Sequence, residues 1–344
     1  MQILNSPVAK LVISLILLAA LAPLVVWFFR DTWAELDADA RRLRQERGDK
    51  PDARVMLTFL LGALGLLLIN FYGSRDFYDG TIQPLLKRWT DGHPGSFDLA
   101  TYHDLSYRVF WGVSRYASYL LPLAVWPFVF KESPLDLGLR MRGFREHAWI
   151  YLLCLVVVIP TLVMVSYMPD FSRYYPMYPQ AGRSWLDFWV WEAVYIGQFF
   201  TLEVFFRGFW LRGARSLGSG AIFSMVVPYV MIHFPKPYLE ACGAIVAGVV
   251  LGSLSMKTRS IWAGFLIHST VAILMDLLAL SQSGRLPVRL LPYSATSYKF
   301  LHTTSVLWGI WALALMGLLL LLQRRRRRRA VAAAAPPHNR RRRR

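Results

Sequence analysis

The chain has 344 residues, of which 55% are hydrophobic and only 17% are charged. Soluble proteins usually carry about 25% charged residues, so the composition excludes an ordinary soluble protein. Both cysteines, Cys154 and Cys242, lie inside apolar runs. This excludes a disulfide framework and argues against a cysteine-based metal site. The formal net charge is +18, and 11 of these charges are the arginines at 324–329 and 340–344.

These arginines form a tail, residues 323–344, that directly follows an apolar run. A basic segment in this position predicts a disordered cytoplasmic anchor that contacts anionic lipid, at about 1 kcal/mol for each arginine near the surface. No basic domain with interspersed aromatic residues accompanies it, so no nucleic-acid partner is expected.

Apolar runs of the length that spans a bilayer recur along the chain. Such a run needs about 17–25 residues, and we find nine candidates: 11–29, 54–73, 108–130, 147–168, 187–211, 219–234, 240–256, 260–280 and 303–322. The sixth and seventh are short, which leaves the count at eight or nine. The first is too long for a typical signal sequence and is interpreted as a retained helix. The sequence therefore predicts an all-α, polytopic transmembrane helix bundle.

Lysine and arginine in the loops predict the orientation. The loops 30–53 and 131–146 are rich in basic residues and are placed inside, with the C-terminal tail. The loops 74–107 and 169–186 are placed outside, with the N-terminus, and the former is expected to hold a short surface helix around 82–89. The chain is accordingly assigned to a bacterial inner (plasma) membrane, with a cytoplasmic C-terminus.

The chain divides into four predicted regions. Residues 1–186 are expected to be membrane scaffold helices, and residues 187–280 a catalytic core. Residues 281–322 form a final loop and transmembrane helix, before the tail at 323–344. The core is distinguished by ionisable side chains in or beside apolar runs, namely Glu203, Arg207, His233, Glu240, His268 and Asp276. Each such group at membrane depth costs about 2.5–3.5 kcal/mol, so six together predict a polar site.

The spacing of these residues suggests how the site is built. Glu203 and Arg207 are four residues apart and share a helix face, either as a structural ion pair or as a carboxylate held ionised by the arginine. Glu192 is nearer the outer end and is interpreted as an interfacial residue. His268 lies eight residues beyond the start of its predicted helix, at a depth of about 12 Å. Gly248 and Gly252 form a small-residue face that predicts close helix packing.

The order of these residues resembles the CPBP family of intramembrane proteases, also called the Abi or type II CAAX prenyl endopeptidase-like family. The family pattern is EExxxR, then FxxxH, then HxxxN. Here it corresponds to Glu203 with Arg207, to His233, and to His268. The chain departs from it at three positions, Leu202 for the first glutamate, Tyr229 for the phenylalanine and Ala272 for the asparagine.

The resemblance implies peptide hydrolysis at or within the membrane. In the family, the first glutamate and first histidine activate water, while the second histidine and the asparagine support the oxyanion. Because Leu202 cannot act as a base, Glu203, Glu240 or Asp276 is expected to carry that function. Arg207 one turn away weakens Glu203 as a base, and Lys236 is close enough in sequence to reach Glu240. Amide replacement of Glu203 is expected to abolish activity, and replacement of Glu240 or Asp276 to reduce it.

Two alternatives stay open at this point. Zinc is one, because His233, His268 and Glu203 form an acceptable ligand set. The other is a catalytically silent binding or immunity protein that uses the same cavity. The partner in either case is a membrane-associated peptide, protein or lipid-linked molecule. Straight helices would separate Glu203 from His233 by about 15 Å, so tilt or a deeper helix start is required.

Overall fold

The computed structural model describes residues 6–93, 98–141, 146 and 148–290. The regular secondary structure of these residues is helical and includes no strand, which confirms the predicted all-α class. The longest helices are α1 (Pro7–Arg47), α2 (Ala53–Tyr72), α3 (Gln83–Gly92), α4 (His103–Phe130), α5 (Ala148–Ser166), α6 (Trp185–Glu203), α7 (Gly220–Met231), α8 (Tyr238–Thr258) and α9 (Trp262–Gln282).

Five of the described helices, α1, α2, α5, α8 and α9, are long and apolar enough to cross a membrane. Helix α7 is apolar but shorter, with 12 residues. Helices α4 and α6 are continuous, but charged side chains such as Arg115 and Glu192 lower their hydropathy. The chain is therefore an integral membrane protein. The predicted helix at 303–322 and the arginine tail lie outside the described residues.

Helix α1 differs from its prediction. The segment 30–53 was expected to be a loop, but the helix continues to Arg47 and has 41 residues. At 1.5 Å per residue this is about 60 Å, roughly twice the thickness of a hydrocarbon core. The hydropathy pattern predicted only the apolar N-terminal half of this helix, residues 11–29. The charged half is rich in Ala, Leu, Glu and Arg, which favour helix without being buried. The predicted surface helix around 82–89 is confirmed as α3.

Helix α6 occupies the centre of the bundle. It packs against α4 and α9, while α4 also packs on α2 and α9 on α5. Its start is fixed by Ser184, whose hydroxyl accepts a hydrogen bond from the Asp187 backbone N–H at 3.0 Å. Such an N-cap satisfies one of the free donors of a helix start. The expected single helix at 187–211 instead changes after Glu203 into a π-helical segment, Val204–Trp210.

Helices α7 and α8 pack closely through the glycine face that the sequence predicted. A Cβ atom on Gly248 would lie 3.0 Å from Val226 Cγ2 and 3.1 Å from Tyr229 Cδ1. One on Gly252 would lie 3.0 Å from Met225 Cε. The missing side chains allow the helices to approach, and Gly248 in particular leaves room for the Tyr229 ring to pack against α8.

Candidate active site

Glu203, the last residue of α6, lies at the centre of the polar site. It is fully buried. One carboxylate oxygen, Oε1, is 2.8 Å from His268 Nδ1 and 3.3 Å from a guanidinium nitrogen of Arg207. The angles of these contacts are not those of hydrogen bonds, so neither carboxylate oxygen has a hydrogen-bond donor among the described residues. A buried carboxylate of this kind is unusual and calls for a functional explanation.

Arg207 is placed by the π-helical segment that follows Glu203. Single π turns inside helices occur frequently at functional sites, where they re-aim side chains. The Arg207 side chain is fully buried, and its guanidinium lies 4.2 Å above the Tyr229 ring. Its charge is therefore balanced by the Glu203 carboxylate on one side and by the face of an aromatic ring on the other.

His268 comes from α9 and contacts residues of both α6 and α7. Its ring stacks on Phe199 of α6 at 5.2 Å, with an interplanar angle of 15°. Its Nε2 atom lies 2.9 Å from the Tyr229 hydroxyl. Gly264, one turn earlier on α9, leaves the space that the Glu203 carboxylate occupies, since a Cβ there would overlap both of its oxygens. The His268 side chain is 14% exposed, so part of it remains accessible from outside the packed core.

His233 lies in the turn that follows α7, two residues beyond the helix end. Its Nδ1 is 2.7 Å from the backbone carbonyl of Tyr229, which can only accept a hydrogen bond. Nδ1 therefore carries the proton, and Nε2 has the lone pair. The His233 ring also contacts the Tyr229 ring, with centroids 4.7 Å apart. The separation expected between Glu203 and His233 is thus bridged by Tyr229 and His268.

Glu240 belongs to a different group of side chains. Both of its oxygens accept from the Tyr175 hydroxyl, at 3.0 and 2.8 Å, and Lys236 Nζ lies 3.6 Å away. Lys236 also contacts the hydroxyls of Tyr175 and Tyr195, at 3.0 and 3.2 Å. The lysine therefore does reach Glu240, and none of the described contacts joins this carboxylate directly to either histidine.

Asp276 is also placed away from the histidines. Its Oδ2 accepts a hydrogen bond from Trp191 Nε1 at 2.7 Å, and its carboxyl group interacts directly with that of Glu192. Both carboxyl groups are fully buried. The interpretation of Glu192 as an interfacial residue is therefore wrong. The error arose because the sequence does not show which face of α6 meets α9.

Tyr229 is the residue of the site that the sequence analysis undervalued. The sequence identifies it only as a departure from the family pattern, yet its hydroxyl, ring and backbone carbonyl each contact one site residue, namely His268, Arg207 and His233. The available signal was its hydroxyl, a polar atom placed one helical turn before a histidine. Leu202 and Ala272, at the two other departures, are buried among apolar residues.

Among the described residues, no three His, Cys, Asp or Glu side chains are close enough to hold a metal ion together. Of the zinc set considered above, only Glu203 and His268 have a recorded contact, at 2.8 Å.

Part of the chain is similar to a known protein family. Residues 184–274 match the model of a family described as type II CAAX prenyl endopeptidase Rce1-like. The matched segment runs from the cap of α6 into α9 and contains Glu203, Arg207, Tyr229, His233 and His268. No curated protein and no solved structure matches the chain. The chain thus carries an Rce1-like segment, which supports a membrane protease-like function.

Proposed function

We propose that the Rce1-like segment is an intramembrane endopeptidase that hydrolyses a peptide bond of a membrane-associated or lipid-linked substrate. The observation that carries the proposal is one continuous chain of contacts that links α6, α9 and the end of α7 through Tyr229. Glu203 and Arg207 come from α6 and its π-helical extension, His268 from α9, and His233 from the turn after α7. Charged groups at membrane depth are costly, and their meeting at one place favours a reaction centre over separate structural roles.

His233 is the proposed base. Its Nδ1–H is held by the Tyr229 carbonyl at 2.7 Å, so Nε2 can take a proton from water as that water attacks the substrate carbonyl. When the tetrahedral intermediate collapses, the same nitrogen returns the proton to the leaving amine. The atoms and charges then balance without another reactant. The first glutamate of the family pattern, replaced by Leu202, is not needed for this route.

Glu203 and Arg207 are proposed to orient the site. The carboxylate faces His268 Nδ1 at 2.8 Å and helps to fix the direction of that ring, while the Arg207 guanidinium forms an ion pair with the carboxylate at 3.3 Å. His268 is proposed to stabilise the oxyanion from its other nitrogen. A donor of this kind is worth about 3–4 kcal/mol of transition-state stabilisation. Glu240 and Asp276 are proposed to contribute to the site indirectly. Glu240 would do so through its hydrogen bonds with Tyr175, and Asp276 through its hydrogen bond with Trp191.

The second candidate is a silent membrane binding or immunity protein. Leu202 and Ala272 favour it, because both replace polar residues of the family pattern with buried apolar ones. The two candidates differ in one property. A protease forms new peptide termini, whereas a binding protein retains its ligand intact.

The proposed setting is a bacterial inner membrane with the C-terminus in the cytoplasm, where the arginine tail would meet anionic lipid.

Wild-type protein and the Glu203→Ala variant should be expressed at equal levels in such a membrane. Mass spectrometry of peptide termini then measures cleavage. New termini that depend on Glu203 support the endopeptidase. Identical termini in both samples, together with co-purification of an uncleaved ligand by wild type alone, would replace it by the binding protein.

A further inference from the structure

The hydroxyl of Tyr229 occupies the nitrogen of His268 that faces away from Glu203. The Tyr229 oxygen is 2.9 Å from Nε2, a normal hydrogen-bond length. Tyr229 is 1% exposed and His268 is partly exposed, so the hydroxyl approaches the ring from the protein interior. The phenylalanine of the family pattern has no atom that could make this contact.

The direction of this hydrogen bond follows from the other nitrogen of His268. Nδ1 lies 2.8 Å from a Glu203 carboxylate oxygen; although this contact lacks hydrogen-bond geometry, a lone pair on Nδ1 would face the negative charge, whereas an N–H dipole is attracted to it. Nδ1 therefore carries the ring proton, and Nε2 presents its lone pair. Tyr229 donates its O–H to that lone pair. The tautomer in which Nε2–H could donate to a substrate oxyanion is disfavoured as long as both contacts persist.

Tyr229 cannot easily turn away from this position. The Arg207 guanidinium lies 4.2 Å over one face of its ring. On the α8 side, the ring packs against Gly248, where even a Cβ atom would be 3.1 Å from Cδ1. Together, Glu203, Arg207, Tyr229 and His268 form a closed circuit of contacts in which each side chain touches the next. Rearrangement of His268 therefore requires loss of the Tyr229 hydrogen bond.

We propose that Tyr229 is a positioning residue of the reaction proposed above. Its hydroxyl holds His268 in the Nδ1–H tautomer and withholds Nε2 from substrate until that hydrogen bond is broken. The proposal rests on the proposed function for its catalytic consequence, but the restraint on His268 is a physical property of the resting protein. It can therefore be measured without any substrate.

The test compares wild type with Tyr229→Phe, which removes one oxygen atom and installs the residue of the family pattern. Diethyl pyrocarbonate acylates neutral imidazole nitrogens, and mass spectrometry reports the labelling rate of each histidine in protein held in lipid nanodiscs. We expect His268 labelling to rise about fivefold, the size expected when one neutral hydrogen bond is lost. His233 serves as the internal control, because its hydrogen bond is to the Tyr229 backbone and should be unchanged.

Tyr195→Phe is the matched control variant. It also removes a buried hydroxyl, one that lies 3.2 Å from Lys236, and should leave His268 labelling at the wild-type rate. Equal His268 labelling in wild type and Tyr229→Phe would overturn the proposal, as would an equal rise in both variants.

Cleavage of membrane peptides is the second readout of the same samples. We expect Tyr229→Phe to cleave about fivefold faster than wild type, because the freed Nε2 lone pair can then bind a proton and, as Nε2–H, donate a hydrogen bond to the oxyanion while Nδ1–H still faces Glu203. A slower rate despite faster labelling would overturn the proposal, since the hydroxyl would then assist the reaction. Faster labelling with no cleavage by any variant would support the restraint on His268 and count against the endopeptidase instead.

Discussion

Gly264 faces Glu203 so closely that a Cβ atom at position 264 would overlap the carboxylate oxygens of Glu203. Gly264 lies one turn before His268 on α9. The same helix therefore supplies both the histidine and the space that the Glu203 carboxylate of α6 occupies. The absence of a side chain at 264 is therefore a requirement of the site rather than of helix stability. Glycine inside a helix otherwise costs about 1 kcal/mol relative to alanine.

Replacement of Gly264 by alanine should disrupt the site. The new methyl group would push Glu203 away from His268, and we expect a loss of cleavage of at least about tenfold with a lower melting temperature. Gly243→Ala is the matched control, because Gly243 lies inside α8 and a Cβ there would meet nothing within 4 Å. That variant should keep full activity. Equal activity of Gly264→Ala and wild type would contradict the placement of Glu203.

The carboxyl groups of Glu192 and Asp276 supply a second prediction. They interact directly while both are fully buried, and two buried carboxyl groups in contact hold a proton that the unfolded chain releases at neutral pH, which costs stability. Glu192→Gln keeps the shape, supplies a permanent N–H donor for Asp276 and needs no bound proton to fold. We expect a gain of about 1–2 kcal/mol in stability. Thermal unfolding in detergent at neutral pH measures it, and a lower melting temperature than wild type would be inconsistent with this account.

These two relationships also show the limits of the sequence. Long apolar runs are read directly from hydropathy, which is why α2, α5, α8 and α9 begin and end within a few residues of their predicted positions. The order of Glu203, His233 and His268 suggested a common site because it resembled a known pattern. Which partner each side chain contacts depends on the rotation and tilt of its helix. A hydropathy profile gives the position of a helix along the sequence but not its rotation or tilt. For that reason Glu192 was misjudged and the bridge through Tyr229 was not foreseen.

The π-helical segment Val204–Trp210 could not be predicted for a related reason. A single wider turn has no composition of its own, and here it is stabilised by packing of Phe205, Phe206 and Phe209 in the core. The extension of α1 to Arg47 was missed because charged residues were taken to mark a loop. Their helix propensity was the better guide.

Glu132 gives a pH dependence outside the membrane-spanning helices. Arg54 donates two hydrogen bonds to its carboxylate, both at 2.9 Å, and these bonds lower the pKa of Glu132. A folded-state pKa below the unfolded one contributes stability that is present above the unfolded pKa and lost as the pH falls through the folded pKa.

The melting temperature of wild type should therefore fall more steeply below about pH 5 than that of Glu132→Gln. The pair is partly exposed, so the difference corresponds to about 1 kcal/mol or less. Melting curves of both proteins across an acidic pH series measure it. Parallel curves at all pH values would show that the pair contributes no pH-dependent stability.

The orientation of the chain is a further prediction. The basic end of α1 and the arginine tail are expected in the cytoplasm, and Ser184 at the start of α6 is expected outside. Reporter fusions after Arg47, Ser184 and the last residue distinguish the two sides of the membrane. An outward-facing Arg47 would contradict the predicted orientation and the count of nine helices.

The central claim is that Glu203 and His233 act as parts of one proteolytic site, although the contacts of the described residues join them indirectly, through Tyr229 and either His268 or Arg207. The most direct test measures kcat/KM for Glu203→Gln, His233→Gln and the double variant, on a substrate identified from its new termini. Residues that act as a unit give strongly non-additive losses. We expect each single variant to lose at least about a hundredfold and the double variant to lose no more than the worse single one. Losses that multiply in the double variant, or a fully active His233→Gln, would contradict the account.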